Sequence, residues 1–317
     1  MFWTAFQGTF VAVLQIALVV AGAGALVRGG IVTRDHIRAL SVVTVNVFLP
    51  CLIVSNISKN FRPGENEIWW AVPLIGLAVA LLGLAIALLF FFRELPEKLN
   101  ILPLAFLQNA AFLILPIGQL LFPARFDEFA LFVFLYIIIH QPFVWSVGKV
   151  LMTTRKEGEP FRIRQMFTPP MSANLLTVMA VLLGITRFIP DLVMTPVSLI
   201  GQAAVPTVTF ILGASLGSLE FRKIRLDKDI VRILLVKLIL LPAAVVGILS
   251  LTPLRETYPL LALIIVLQGA SAPATALLLQ VKTYGGDEEK VQTVLLLAYV
   301  LCLVTIPLWV ALWQSLA

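Results

Sequence analysis

Gln108-Asn109-Ala110-Ala111-Phe112-Leu113-Ile114-Leu115-Pro116 and Gln268-Gly269-Ala270-Ser271-Ala272-Pro273-Ala274-Thr275 are the two stretches on which the reading of this chain turns. Each sets amides, small residues and a proline inside an apolar run of helical length. Proline removes one backbone donor and clashes with the carbonyl four residues earlier, so each run is expected to break. In lipid the freed polar groups need partners within the protein. A matched pair of interrupted apolar segments is the sequence pointer to a transporter binding site.

The surroundings of the two stretches make lipid the expected solvent. Of 317 residues, 60% are hydrophobic and only 13% charged, against roughly 25% charged in an ordinary soluble domain. Mean hydropathy is +1.01. So few charges cannot cover a soluble surface of this size. Disorder is excluded because disordered chains lack bulky apolar residues. With two cysteines, Cys51 and Cys302, both in apolar runs, a disulfide scaffold is excluded too. Continuous apolar runs cover about 5–27, 37–58, 68–92, 100–122, 127–152, 171–189, 193–219, 229–251, 257–281 and 290–314. They do not alternate as barrel strands would, so the expectation is an all-α integral membrane protein with ten transmembrane helices. The first run has no preceding Lys or Arg and no clear cleavage site after it, and is read as a span, not a signal peptide.

With both termini placed outside, the inward loops carry 17 Lys and Arg and the outward loops 5, leaving Lys237 inside a span. The positive-inside rule therefore expects both termini to be extracytoplasmic. The halves also resemble one another. Pro50 and Pro206 are 156 residues apart, Pro116 and Pro273 are 157 apart, and Asp127-Glu128 and Asp287-Glu288 are 160 apart. Five helices per half is an odd number, so the second half enters the membrane inverted, as in secondary transporters. Residues 1–152 form the first repeat, 153–170 a short basic cytoplasmic linker, and 171–317 the second repeat.

Half-helix N-termini at the two breaks suit an anion. Candidate substrate-binding residues are Gln108, Asn109, Gln268, Ser271 and Thr275, with Asn46 of the second span, divided between binding or gating and helix–helix contact. Candidate breaks are Pro116, Pro273 and Gly269, with Pro50 and Pro206. Lys237 either snorkels or puts a charge inside the bundle. His140, followed by Gln141-Pro142, is expected to break the fifth span and is a candidate proton relay or a hydrogen-bonded neutral histidine. No Asp or Glu lies mid-span, which argues against coupling through a buried acid. Two histidines, His36 and His140, give no metal spacing. No phosphate loop is present. No cofactor, metal, nucleic-acid partner or enzymatic activity is expected.

These residues carry a family resemblance. Phe48-Leu49-Pro50-Cys51-Leu52, Asn109 seven residues before Pro116, Ala204-Val205-Pro206 with Gly213-Ala214-Ser215-Leu216, and Pro273 followed by Tyr284-Gly285-Gly286-Asp287 resemble the auxin efflux carrier family, including its bacterial PIN-like members. Lys237 five residues before Pro242 fits as well. The resemblance implies two inverted five-helix repeats whose fourth and ninth helices cross at their breaks. It implies a scaffold of helices 1, 2, 6 and 7, a moving transport domain of helices 3–5 and 8–10, and substrate contact by Asn109. Ala111 and Ile114 stand where the family often has glycine, which narrows the break, and the long hydrophilic loop of plant members is absent. The expected function is export of a small carboxylate across the plasma (inner) membrane, driven by membrane potential, by a homodimer in the bilayer. The competing readings are a sodium- or proton-coupled anion symporter of bile-acid-symporter-like architecture and a non-transporting membrane receptor.

Overall fold

The computed structural model describes residues 1–65, 67–152, 167–219 and 226–316. Among these the chain is helical throughout, and strand-like pairing is confined to one isolated bridge. We label the helices α1 (Phe2–Arg28), α2 (Arg34–Asn60), α3 (Ala71–Phe90), α4 (Leu102–Phe106), α5 (Ile114–Leu121) and α6 (Pro123–Met152). They continue as α7 (Pro169–Leu182), α8 (Asp191–Gly217), α9 (Lys228–Leu249), α10 (Pro259–Ala270), α11 (Ala276–Tyr284) and α12 (Glu288–Ser315). Most of the expected linker, with Arg155, Lys156, Arg162 and Arg164, lies outside the described residues, as do Arg222, Lys223 and Arg225.

Seven of these helices are long and apolar enough to cross a membrane: α1, α2, α3, α6, α8, α9 and α12. The other expected spans are shorter for identifiable reasons. The fourth and ninth are each split into two pieces, α4–α5 and α10–α11. The sixth, α7, has 14 residues, or about 21 Å at 1.5 Å per residue. Two prolines open it, and Gly184, with φ of 69°, lies just beyond its end. Two of the expected breaks, at Pro50 and Pro142, do not end their helices. Pro50 sits inside a continuous α2, where the helix widens into a π turn over Thr44–Phe48 just before it. Pro142 lies within α6, followed by a π turn over Val144–Gly148. A third π turn, Val236–Leu240, precedes Pro242 in α9. A π turn ahead of a proline moves the preceding carbonyls away from the ring without ending the helix. Pro206 follows a local offset of α8 at Ala203.

Small residues allow close packing where the long helices meet. A methyl group on Gly217 would lie 2.4 Å from Gly24 Cα, and one on Gly213 2.4 Å from Val20 O, so α1 and α8 touch backbone to backbone. A methyl on Gly201 would meet Leu52 N and Cα at 2.7 Å, which sets α8 against α2. Elsewhere α3 packs on α4 and α6, while α10 packs on α9, α12 and α6.

At one end of the bundle an ionic cluster joins the two halves of the chain. Asp229 accepts from Lys98 at 2.8 Å and from Lys290 at 2.9 Å, and Lys290 also meets Asp227 at 2.9 Å. Arg232 pairs with Glu94 at 3.0 Å. Burial works against the charge of Asp227, but the Ile230 N–H and Lys290 together hold its carboxyl below the ordinary 3.8. Its folded value is depressed, so its contribution to stability is complete above that ordinary value. That contribution is lost as pH falls through the folded one.

Gly213→Ala and Gly217→Ala should each destabilise the protein by about 1–3 kcal/mol, because backbone cannot yield as a side chain can. Gly22→Ala, with open space around it, should be neutral. Thermal unfolding of the three variants in detergent measures the contrast.

Candidate functional site

The two interrupted spans cross, and their broken backbones pair. Asn109 N–H donates to Ala272 O at 2.9 Å, and Ala274 N–H donates to Leu107 O at 3.0 Å. These two bonds form an antiparallel bridge between Gln108 and Pro273. The bridge answers a local problem. Ser271, two residues before Pro273, is extended, with ψ of 155°. Leu107 is extended as well, with ψ of 122°. Each break thus frees donors and acceptors in an apolar interior, and each supplies what the other lacks.

Side chains satisfy much of the remainder. Gln268 Nε2 donates to Ala110 O at 2.9 Å. Ser271 Oγ donates to Gln268 O at 2.9 Å. Asn109 accepts from Phe112 N–H at 3.2 Å through Oδ1 and donates through Nδ2 to the Tyr299 hydroxyl. Pro273 has no N–H for the carbonyl four residues earlier, that of Gly269. Lys237 Nζ donates to that oxygen at 3.4 Å. The lysine is 0% exposed, so its ammonium does not snorkel but faces the break from the π turn of α9. His140 Nε2 and Gln108 Oε1 are hydrogen-bonded at 2.7 Å. Four buried polar atoms here have no partner: Gln108 Nε2, Gln268 Oε1, His140 Nδ1 and Tyr136 OH.

The structure therefore brings Gln108, Asn109, Gln268, Gly269, Ser271, Pro273, Lys237 and His140 to one place. Gly269 is still helical, in the last turn of α10, and Pro116 stands in the first turn of α5 beyond the break. Thr275 is half-buried at the start of α11 and does not cap that helix with its side chain. Asn46 is not brought to the crossing. It is exposed, and its Nδ2 donates to Val42 O of the same helix at 2.7 Å. That bond serves a carbonyl beside the π turn before Pro50, so the amide repairs its own helix. The sequence reading missed Tyr299. It is one of four tyrosines, set in an apolar run without any repeat partner, and only the tertiary fold carries it to Asn109.

Removing one bridging amide tests this accounting. Gln268→Leu leaves the Ala110 carbonyl buried and unpaired, at a cost of about 1–3 kcal/mol. The unfolding midpoint in detergent should fall accordingly.

Comparison with known proteins adds a family. A family model described as Membrane transport protein matches the chain in two segments, residues 9–162 and 159–310. No curated protein matches it. The matched segments together span nearly the whole chain, so the protein belongs to the Membrane transport protein family, that of the auxin efflux carriers.

Proposed function

We propose that this transporter exports a small organic anion, an auxin-like or other carboxylate, across the plasma membrane by an elevator mechanism. On this reading it has ten spans in two inverted five-helix repeats, with both termini outside, and works as a homodimer. Span 4 is α4 with α5, and span 9 is α10 with α11. The scaffold is α1, α2, α7 and α8, and the moving body is α3–α6 with α9–α12. The observation that carries the reading is the Gln108–Pro273 bridge. It joins a break from each half, as two repeats meeting at a common site require. Further support comes from the close contacts of α8 with α1 and α2 at Gly217, Gly213 and Gly201. These contacts join three of the four proposed scaffold helices to one another.

The anion binds at the crossing against Asn109 and the starts of α5 and α11, whose N-termini carry partial positive charge. Ser271 and Thr275 border the same place. The driving force is the membrane potential, worth roughly 2.3 kcal/mol per charge per 100 mV. With the inside negative, it favours a transport cycle that carries one net negative charge outward. In support, the buried charged residues among those described are Asp229, held by two lysines outside the crossing, and Lys237. No carboxylate serves as a sodium or proton relay among them.

In proteoliposomes, Asn109→Ala should abolish flux while leaving expression intact, and its unfolding midpoint should fall on the scale of Gln268→Leu because Phe112 N–H and the Tyr299 hydroxyl lose their partner. Tyr299→Phe removes only the partner hydroxyl and should weaken transport roughly three- to tenfold, the value of one hydrogen bond. Flux should follow an imposed potassium diffusion potential and ignore sodium and pH gradients. Undiminished flux with unchanged affinity in Asn109→Ala rules out this site.

A further inference from the structure

We infer that Lys237 is the charge-selecting residue of the crossing and restricts its cargo to monoanions, in preference to neutral molecules and dianions. This inference deepens the proposed function and rests on it.

Four helix ends meet at the crossing. The C-terminal ends of α4 at Phe106 and α10 at Ala270 are negative poles, and the starts of α5 at Ile114 and α11 at Ala276 are positive poles. Poles of opposite sign partly offset one another, so the backbone alone leaves the anion preference of the α5 and α11 starts weak. Lys237 strengthens that preference. Its ammonium reaches the Gly269 carbonyl at the negative end of α10, at 3.4 Å, and offsets that pole. Among the described residues, no buried lysine or arginine of the other half duplicates it. At the 157-residue offset that relates Pro116 to Pro273, Lys237 corresponds to Ala80, a fully buried alanine in α3.

The ammonium also lacks a counter-charge. No ion pair to a carboxylate forms at Lys237 among the described residues. A buried charge is stable only when paired. One hydrogen bond to a neutral carbonyl uses one of three N–H donors and leaves the charge uncompensated. The polar groups beside it point the same way. Gln108, 1% exposed, has an amide nitrogen without an acceptor, and that donor suits a carboxylate oxygen. A bound monocarboxylate brings the site to neutrality. A neutral molecule leaves the ammonium unpaired, and a dianion adds a surplus negative charge in a low-dielectric interior.

The test uses the full-length protein in proteoliposomes at neutral pH. Labelled acetate, phenylacetate and indole-3-acetate are compared with their primary amides and with malonate and phenylmalonate. The parent should take up at least one monocarboxylate about tenfold or more over its amide and over the dianions, the scale of a close charge pair. Lys237→Met should stay folded and lose the acid-over-amide preference. Lys237→Arg should retain it. A merely structural lysine would change overall flux but not this ratio.

A Lys237→Met protein that keeps the parent's preference overturns the inference. So does a parent that fails to distinguish acid, amide and dianion, or that carries none of them. Asn109→Ala, run in parallel, separates the two readings. Loss of all uptake there with preference intact in Lys237→Met sinks the charge-selecting role and leaves the site standing. Unchanged uptake in Asn109→Ala sinks the site itself.

Discussion

Two hydrogen bonds between broken backbones, Asn109 N–H to Ala272 O and Ala274 N–H to Leu107 O, hold the centre of this protein together. An apolar interior cannot accommodate free peptide groups, so a lone interrupted helix would be costly there. Two interruptions that face each other antiparallel remove most of that cost. Gln268, Ser271, Asn109 and Lys237 then reach the carbonyls and N–H groups that the bridge does not. Irregular backbone is thereby placed deep in a membrane protein and stabilised by its own neighbours.

The same arrangement gathers Gln108, Asn109, His140, Lys237, Gln268 and Ser271 in the interior at this point. Pro273 strips Gly269 O of its helical donor, and a lysine from α9 supplies another. The π turn that carries Lys237 lies directly ahead of Pro242, so one proline creates the vacant acceptor and another shapes the segment that fills it. Away from the crossing the long helices use a different device. Gly24, Gly213 and Gly217 bring α1 and α8 into backbone contact, with shape in place of polarity.

Much of this was legible in the sequence, because both controlling signals are local. Composition and continuous apolar runs announce a helical membrane protein, and proline beside amides announces the interrupted segments. Gln108, Asn109, Gln268 and Ser271 stood out for that reason, and they do meet. What a linear reading lacked was side-chain direction. Asn46 looked like a buried amide in need of partners, yet it faces outward and bonds to Val42 O. Prolines at 50 and 142 looked like breaks, yet a widened turn absorbs each within a continuous helix. Tyr299 carried no signal, since a single hydroxyl in an apolar run is indistinguishable from packing until the fold brings Asn109 to it.

The unpaired ammonium of Lys237 has a consequence for energetics on the proposed reading. A moving body that holds a resident positive charge crosses the field uncharged when it carries a monoanion. With its proton kept on Lys237, it crosses as a cation when it returns empty. The whole cycle still exports one negative charge, but the field does its work on the empty return and not on the loaded passage. Membrane voltage then acts on how fast the carrier resets, and the outward passage of the cargo is set by the local energetics of binding and packing.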